Sequence, residues 1–137
     1  MASVVPQNSL GAITLFVEDV QRSRSFYESV FAVSPVYEDE TSAAYSFENL
    51  LVNVVDESSA GELIEPAAVG GTEGGSRLLL TIFVEDTDAA CGELTKRGVD
   101  LLNGPVDREW GVRTAAFADP DGHVWEVAAE LPASART

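Results

Sequence analysis

Glu126 stands in the middle of His-Val-Trp-Glu-Val (123–127), and Asn53 in the middle of Leu-Leu-Val-Asn-Val (50–54). A polar side chain within an apolar strand costs free energy unless it finds a partner. For Glu126 that partner is a ligand cation, a proton taken in general base catalysis with burial raising its pKa, or a structural ion pair with Arg113. The Asn53 amide both donates and accepts, so it either orients a ligand or bonds neighbouring backbone. Trp110, in a glycine-flanked loop, offers a flat ring for stacking on an aromatic ligand or for packing. Arg113 can grip an anionic group bidentately or neutralise Glu126. Phe16 and Phe83 on one pair of strands, and Tyr45 and Phe47 on another, either sandwich a planar ligand or fill the core. Thr14 and Thr81 offer hydroxyls, although Thr is also a good strand former. Cys91 reads as inert core, and His123 as a turn-end histidine on the strand face opposite Glu126.

The elements that must position these residues come in two copies. Thr14-Leu-Phe-Val-Glu-Asp19 returns as Thr81-Ile-Phe-Val-Glu-Asp86. Repeats of this kind point to duplicated supersecondary units. Apolar residues precede each copy, and an aspartate suited to capping a helix ends it. Helical spacing follows: Val20, Ser23, Phe26, Tyr27, Val30 and Phe31 in the first copy, ended by Pro35, and Ala90, Cys91 and Leu94 in the second. Gly98 suits the closing position of the second helix. Strand candidates follow at about 33–38, 42–47 and 50–55, and again at 99–102, 112–118 and 123–129. Asn103-Gly-Pro105 breaks the first of the later set, and Asp119-Pro-Asp-Gly122 is a turn signal. The reading is α+β: two tandem βαβββ modules, about 10–56 and 77–131, within one domain. Residues 1–9 read as an arm. The connector 57–76 carries a single helical turn at Glu62–Glu65 and is long enough to be functional or mobile.

Alternation assigns the faces. Ile13, Leu15 and Val17 seat the first helix, leaving Ala12, Thr14 and Phe16 on the other side, with Leu79, Thr81 and Phe83 as their counterparts. Asn53 aligns with Glu126. Four positions, Ala12, Asn53, Leu79 and Glu126, therefore stand in equivalent places around a concave face. Trp125 falls on the helix side.

With 137 residues, 45% of them hydrophobic, the chain can bury a real core. No stretch approaches the roughly 20 apolar residues of a membrane span, and no signal peptide is evident. A single cysteine excludes an internal disulfide and fits a cytoplasmic setting. A formal net charge of -15 argues against nucleic acid and anionic membranes and suits a cationic ligand, or simply solubility.

Leu-Phe-Val-Glu-Asp with Ser25-Phe26-Tyr27, Arg97-Gly98-Val99, Trp110-Gly-Val-Arg113 and Asp119-Pro-Asp-Gly-His-Val-Trp-Glu126 together resemble the vicinal oxygen chelate superfamily, which includes glyoxalase I, extradiol dioxygenases, and fosfomycin and bleomycin resistance proteins. The resemblance spans about residues 10–131. It implies curved sheets enclosing a shared cleft, and often a homodimer. In metal-using members, ligands come from the first and last strands of both modules, positions that match Ala12, Asn53, Leu79 and Glu126 here. Alanine and leucine cannot ligate, and a catalytic site normally needs about three protein ligands. The expectation is no metal and no cofactor. That points to the bleomycin resistance branch: a non-catalytic protein sequestering an aromatic small molecule or antibiotic, with a cationic one suited by the acidic balance. The ligand-binding set is then Phe16, Tyr45, Phe47, Asn53, Phe83, Trp110, Arg113 and Glu126. The alternative is a lyase, isomerase or cyclase with Glu126 as general base and Tyr45 as the nearest candidate for a second group.

Overall fold

The computed structural model describes residues 10–132, so the arm expected at 1–9 lies outside the described residues. The chain divides into two compact units, with the boundary between Val69 and Gly70. Each unit holds one βαβββ module.

In the first unit, β1 (Ala12–Val17) leads into α1 (Val20–Val30). Asp19 caps the helix as expected, its carboxylate accepting the Gln21 and Arg22 amides at 2.9 and 3.2 Å. The helix stops earlier than Pro35 suggests. Phe31 is its last cap, and Ala32 takes a positive φ of 53°. Then come β2 (Tyr37–Glu38), β3 (Ser42–Ser46) and β4 (Leu51–Asp56). The sheet order is β1-β4-β3-β2, with β1 and β4 parallel. Leu15, Val17, Val52 and Val54 are buried on the helix side, together with Val20, Ser23, Tyr27 and Val30 of α1.

The connector is more ordered than its glycines suggest. Its first part is α2 (Glu57–Ile64), capped by Asp56, which accepts the Ser58 amide and hydroxyl at 2.9 and 2.7 Å. This helix buries Ala60 and lies against β1 and β4. A single 3-10 turn (Thr72–Gly74) follows in the second unit.

The second module repeats the first: β5 (Leu79–Phe83), α3 (Thr87–Lys96), β6 (Leu101–Asp107), β7 (Val112–Ala118) and β8 (Val124–Glu130), in the order β5-β8-β7-β6. Asp86 caps α3 through the Ala89 amide at 3.1 Å, and Gly98 closes it at φ 83°. Asn103-Gly-Pro105 does not break β6. The strand runs through it with an irregular register against β7, because β6 is an edge strand, where proline's missing donor faces no neighbour. Trp125, Phe117, Val127, Cys91 and Leu94 form the buried side. The architecture is α+β, two βαβββ modules with a four-stranded mixed sheet in each. No described helix is long and apolar enough to cross a membrane.

Candidate functional site

The helices cover one face of each sheet; the other, here the open face, is exposed along β1 and β5, whereas Thr114, Ala116 and Ala128 on it are buried. On β1 and β4 the open row carries Ala12, Thr14, Phe16, Leu51 and Asn53. On β5 it carries Leu79, Thr81 and Phe83, with Glu126 beside them on β8. Phe83 is 76% exposed and Leu79 52%, while Trp125, the chain neighbour of Glu126, is 3% exposed on the other face.

The alignment of Asn53 with Glu126 is exact in register. Thr14 pairs with Asn53, and Thr81 with Glu126. Each pair is also joined by its side chains. Asn53 Nδ2 donates to Thr14 Oγ1 at 3.2 Å, and Thr81 Oγ1 donates to Glu126 Oε1 at 2.9 Å. A hydroxyl can play either part, so the same threonine serves an amide in one module and a carboxylate in the other. The partner of Asn53 is thus a side chain rather than backbone, and the partner of Glu126 is Thr81 rather than Arg113.

Arg113 is a correction. It pairs with Ala129, whereas Glu126 pairs with Ala116, so the two point to opposite faces. Arg113 reaches the helix side, giving Nε and Nη2 to the Asp88 carboxylate at 2.9 and 3.1 Å and Nη1 to Asp107 at 2.9 Å. These hydrogen bonds hold its guanidinium firmly protonated. It clamps α3 and β6 to β7 and is not available to a ligand on the open face.

Tyr45 and Phe47 are also corrected. Tyr45 pairs with Val52 on the helix side, is fully buried, and donates its hydroxyl to Glu28 Oε2 at 2.8 Å. Burial first, and then this bond, push the phenol well above its usual range. Glu28 is held below its ordinary value chiefly by Arg24, whose Nε lies 2.8 Å away. Phe47 meets Phe31 edge-on at 5.8 Å. Ser-Ala-Ala-Tyr-Ser gives little alternation from which to choose a face, and the register decides it.

The structure puts a different arginine on the open face. Arg108-Glu-Trp-Gly111 forms the tight turn between β6 and β7, with the Gly111 amide donating to the Arg108 carbonyl at 3.1 Å and the Arg108 amide to the Val112 carbonyl at 2.7 Å. Gly111 has φ 92°, which a side chain would disfavour. Trp110 stands at the tip, 73% exposed, with the Arg108 guanidinium 5.9 Å from its ring centroid. Arg108 Nε donates to Thr114 Oγ1 at 2.9 Å and Nη2 to Asn103 Oδ1 at 3.3 Å. Thr114 and Ala116 share a face, so the guanidinium is anchored on the side that carries Glu126. Arg108 was hidden in sequence by the irregular register of β6. The turn spacing closing on Gly111 was the available signal.

The family's metal positions do not fit a metal in this chain. Ala12 and Leu79 offer no donor, Asn53 and Glu126 are engaged with threonines, and among the described residues no group of three His, Cys, Asp or Glu side chains converges. His123 is tied to its own turn, Nδ1 lying 2.8 Å from Asp119 Oδ2. Cys91 is buried, and burial raises its thiol above the ordinary value.

The duplicated βαβββ modules, each with its four-stranded mixed sheet, define the class. The chain matches the Glyoxalase/Bleomycin resistance protein/Dioxygenase superfamily over residues 9–127 and belongs to it. It is 32% identical over 121 residues to the uncharacterized protein YraH of Bacillus subtilis (strain 168), covering 84% of this chain and 93% of that one. Among solved structures, a glyoxalase/bleomycin resistance protein/dioxygenase from Nocardioides superposes with a TM-score of 0.82 at 20% identity, over 91% of this chain and 85% of that one. A glyoxalase-related enzyme from Fulvimarina pelagi gives 0.77 at 22% identity, over 90% and 88%. These likenesses speak to the fold.

Proposed function

We propose that this chain is a non-catalytic small-molecule binding protein of the sequestering, antibiotic-resistance type, holding an aromatic ligand without a metal. The observation that carries the reading is the open row of β5 and β8. Exposed Leu79 and Phe83 flank the carboxylate of Glu126, which a neutral threonine orients rather than neutralises. Such a row combines apolar area with a held carboxylate, a pattern suited to holding an aromatic body and a donor or cationic group. The replacement of metal-ligand positions by Ala12 and Leu79 supports binding over metal-assisted turnover. The enzyme alternative keeps Glu126 as a base but loses Tyr45 as its partner, and acid–base mechanisms usually need a second group.

The test is a tryptophan-fluorescence titration of metal-stripped protein with bleomycin-type and polycyclic antibiotics, followed by recovery of the ligand. Saturable quenching, weakened by Glu126→Gln, with the ligand recovered unchanged, is expected. A ligand returned chemically altered, with the change abolished in Glu126→Gln, would establish the enzyme instead.

A further inference from the structure

Arg108 stands out in a chain with 23 acidic residues and 8 Lys and Arg. Arg22, Arg24, Lys96, Arg97 and Arg113 each have a carboxylate within ion-pair distance. Arg77 and Arg108 have none among the described residues, but Arg77 is exposed whereas the side chain of Arg108 is half-buried. Its hydrogen-bond partners are both neutral, the Thr114 hydroxyl and the Asn103 amide oxygen. They occupy Nε and one proton of Nη2, so of the five donors of a guanidinium the whole Nη1 group and the rest of Nη2 have no acceptor among the described residues. Those two nitrogens form the end-on fork that matches a carboxylate.

The fork is also pre-organised. Thr114 and Asn103 fix its direction, and the Trp110 ring lies beside it, an arrangement favourable to a guanidinium. Thr114 is the diagonal neighbour of Glu126 across β7 and β8, a separation of about 7–8 Å between backbones. Yet Glu126 and Arg108 form no ion pair. A structural arginine in so acidic a chain would be expected to take the nearest carboxylate, as Arg113 takes two.

We propose that Arg108 is an oxyanion-recognition residue of the second module's open face, and that the ligand carries a carboxylate attached to an aromatic or apolar body. The carboxylate takes the Nη1–Nη2 fork. The attached ring lies beside Trp110 and towards the apolar residues of the open face. Glu126, one diagonal step from the Thr114 that holds Arg108, excludes a second anion and accepts a donor or a cation. This deepens the binding reading above and rests on it, narrowing the ligand from any aromatic molecule to an acid or a zwitterion.

The experiment uses the full chain labelled with nitrogen-15 and follows the Trp110 indole and Arg108 Nε resonances. The probes are 3-phenylpropionate, its neutral isostere 3-phenylpropionamide, and phenethylamine. The acid is expected to shift both resonances saturably and to bind at least about tenfold more tightly than the amide, as a charge-assisted fork requires. Arg108→Gln should remove the preference, Arg108→Lys should keep part of it, and Arg113→Gln should leave it intact. Equal affinity for acid and amide, or a preference that survives Arg108→Gln, overturns the assignment of Arg108 while leaving a binding face in place. Failure of all three probes to move any open-face resonance overturns both readings.

Discussion

The Asp119 carboxylate, wholly buried, holds the turn before β8 together. One oxygen accepts the Asp121 and His123 amides at 3.0 and 2.8 Å, and the other meets the His123 ring at 2.8 Å. The bond to Asp119 raises the His123 pKa above its ordinary 6.5, against the opposing effect of burial, with charge from Asp119 and Asp121 adding to the rise. A raised pKa in the folded state means that the stabilisation is fully present below the ordinary value and is lost as pH climbs through the folded one. The difference in thermal midpoint between the natural protein and His123→Gln should therefore be largest near about pH 6 and shrink towards about pH 9. A flat difference would mean that the imidazole stays neutral in the pair. The turn itself was legible from Asp-Pro-Asp-Gly. Arg113 was assigned to the wrong face and Arg108 was not singled out, and the reason is geometric. Arg113 sits inside a continuous strand, where parity against Glu126 settles its face once the pairing is known. Arg108 lies beyond an irregular stretch where parity counting fails.

At the scale of elements, β6 shows why that stretch matters. Asn103 pairs with Ala116 and Val106 with Thr114, so three steps on β6 answer two on β7, as in a β-bulge. The extra residue brings Asn103 to the side where it meets Arg108. Gly104 makes this possible. It has φ 89°, and a Cβ there would run into the Thr114 carbonyl oxygen and the Ala115 backbone. Gly104→Ala should destabilise the protein by about 2–4 kcal/mol in chemical denaturation, from strain and overpacking together. Gly61→Ala is the control. It lies inside α2 with open space around it and should instead gain about 0.5–1 kcal/mol. Equal effects at the two sites would show that close approach at Gly104 is not what the strand requires. Most elements were legible because repeat, helical spacing and capping aspartates agree. The β6 run was misread because Asn-Gly-Pro looks like a loop locally, and only its edge position lets a strand carry it. The eight residues of α2 were missed in part because Ser58, Ser59 and Gly61 are poor helix formers. Its cap at Asp56 and its packing on β1 and β4 outweigh that.

For the whole molecule the governing quantity is the formal charge of -15. Its long-range field draws cations and repels anions, so selection for a carboxylate at Arg108 has to be local, made within hydrogen-bond reach. The same excess charge repels itself in the compact state. Among the described residues the ion pairs that offset it are mostly exposed, such as Arg22–Glu18 and Lys96–Glu93 at 3.7 and 3.5 Å, and exposed pairs contribute at most about 1 kcal/mol each. Salt weakens both contributions, but repulsion among many separated carboxylates is screened more than contact pairs as the Debye length falls from about 30 Å at 0.01 M to about 8 Å at 0.15 M. Repulsion should therefore lose more than attraction does. The thermal midpoint is expected to rise by about 3–5 °C between those two concentrations of sodium chloride, corresponding to about 1 kcal/mol for a chain of this size. A midpoint that falls over the same range would place the dominant electrostatic contribution in the short pairs, above all the Arg24 and Arg113 clamps. Arg113→Gln should then abolish a measurable share of the salt response.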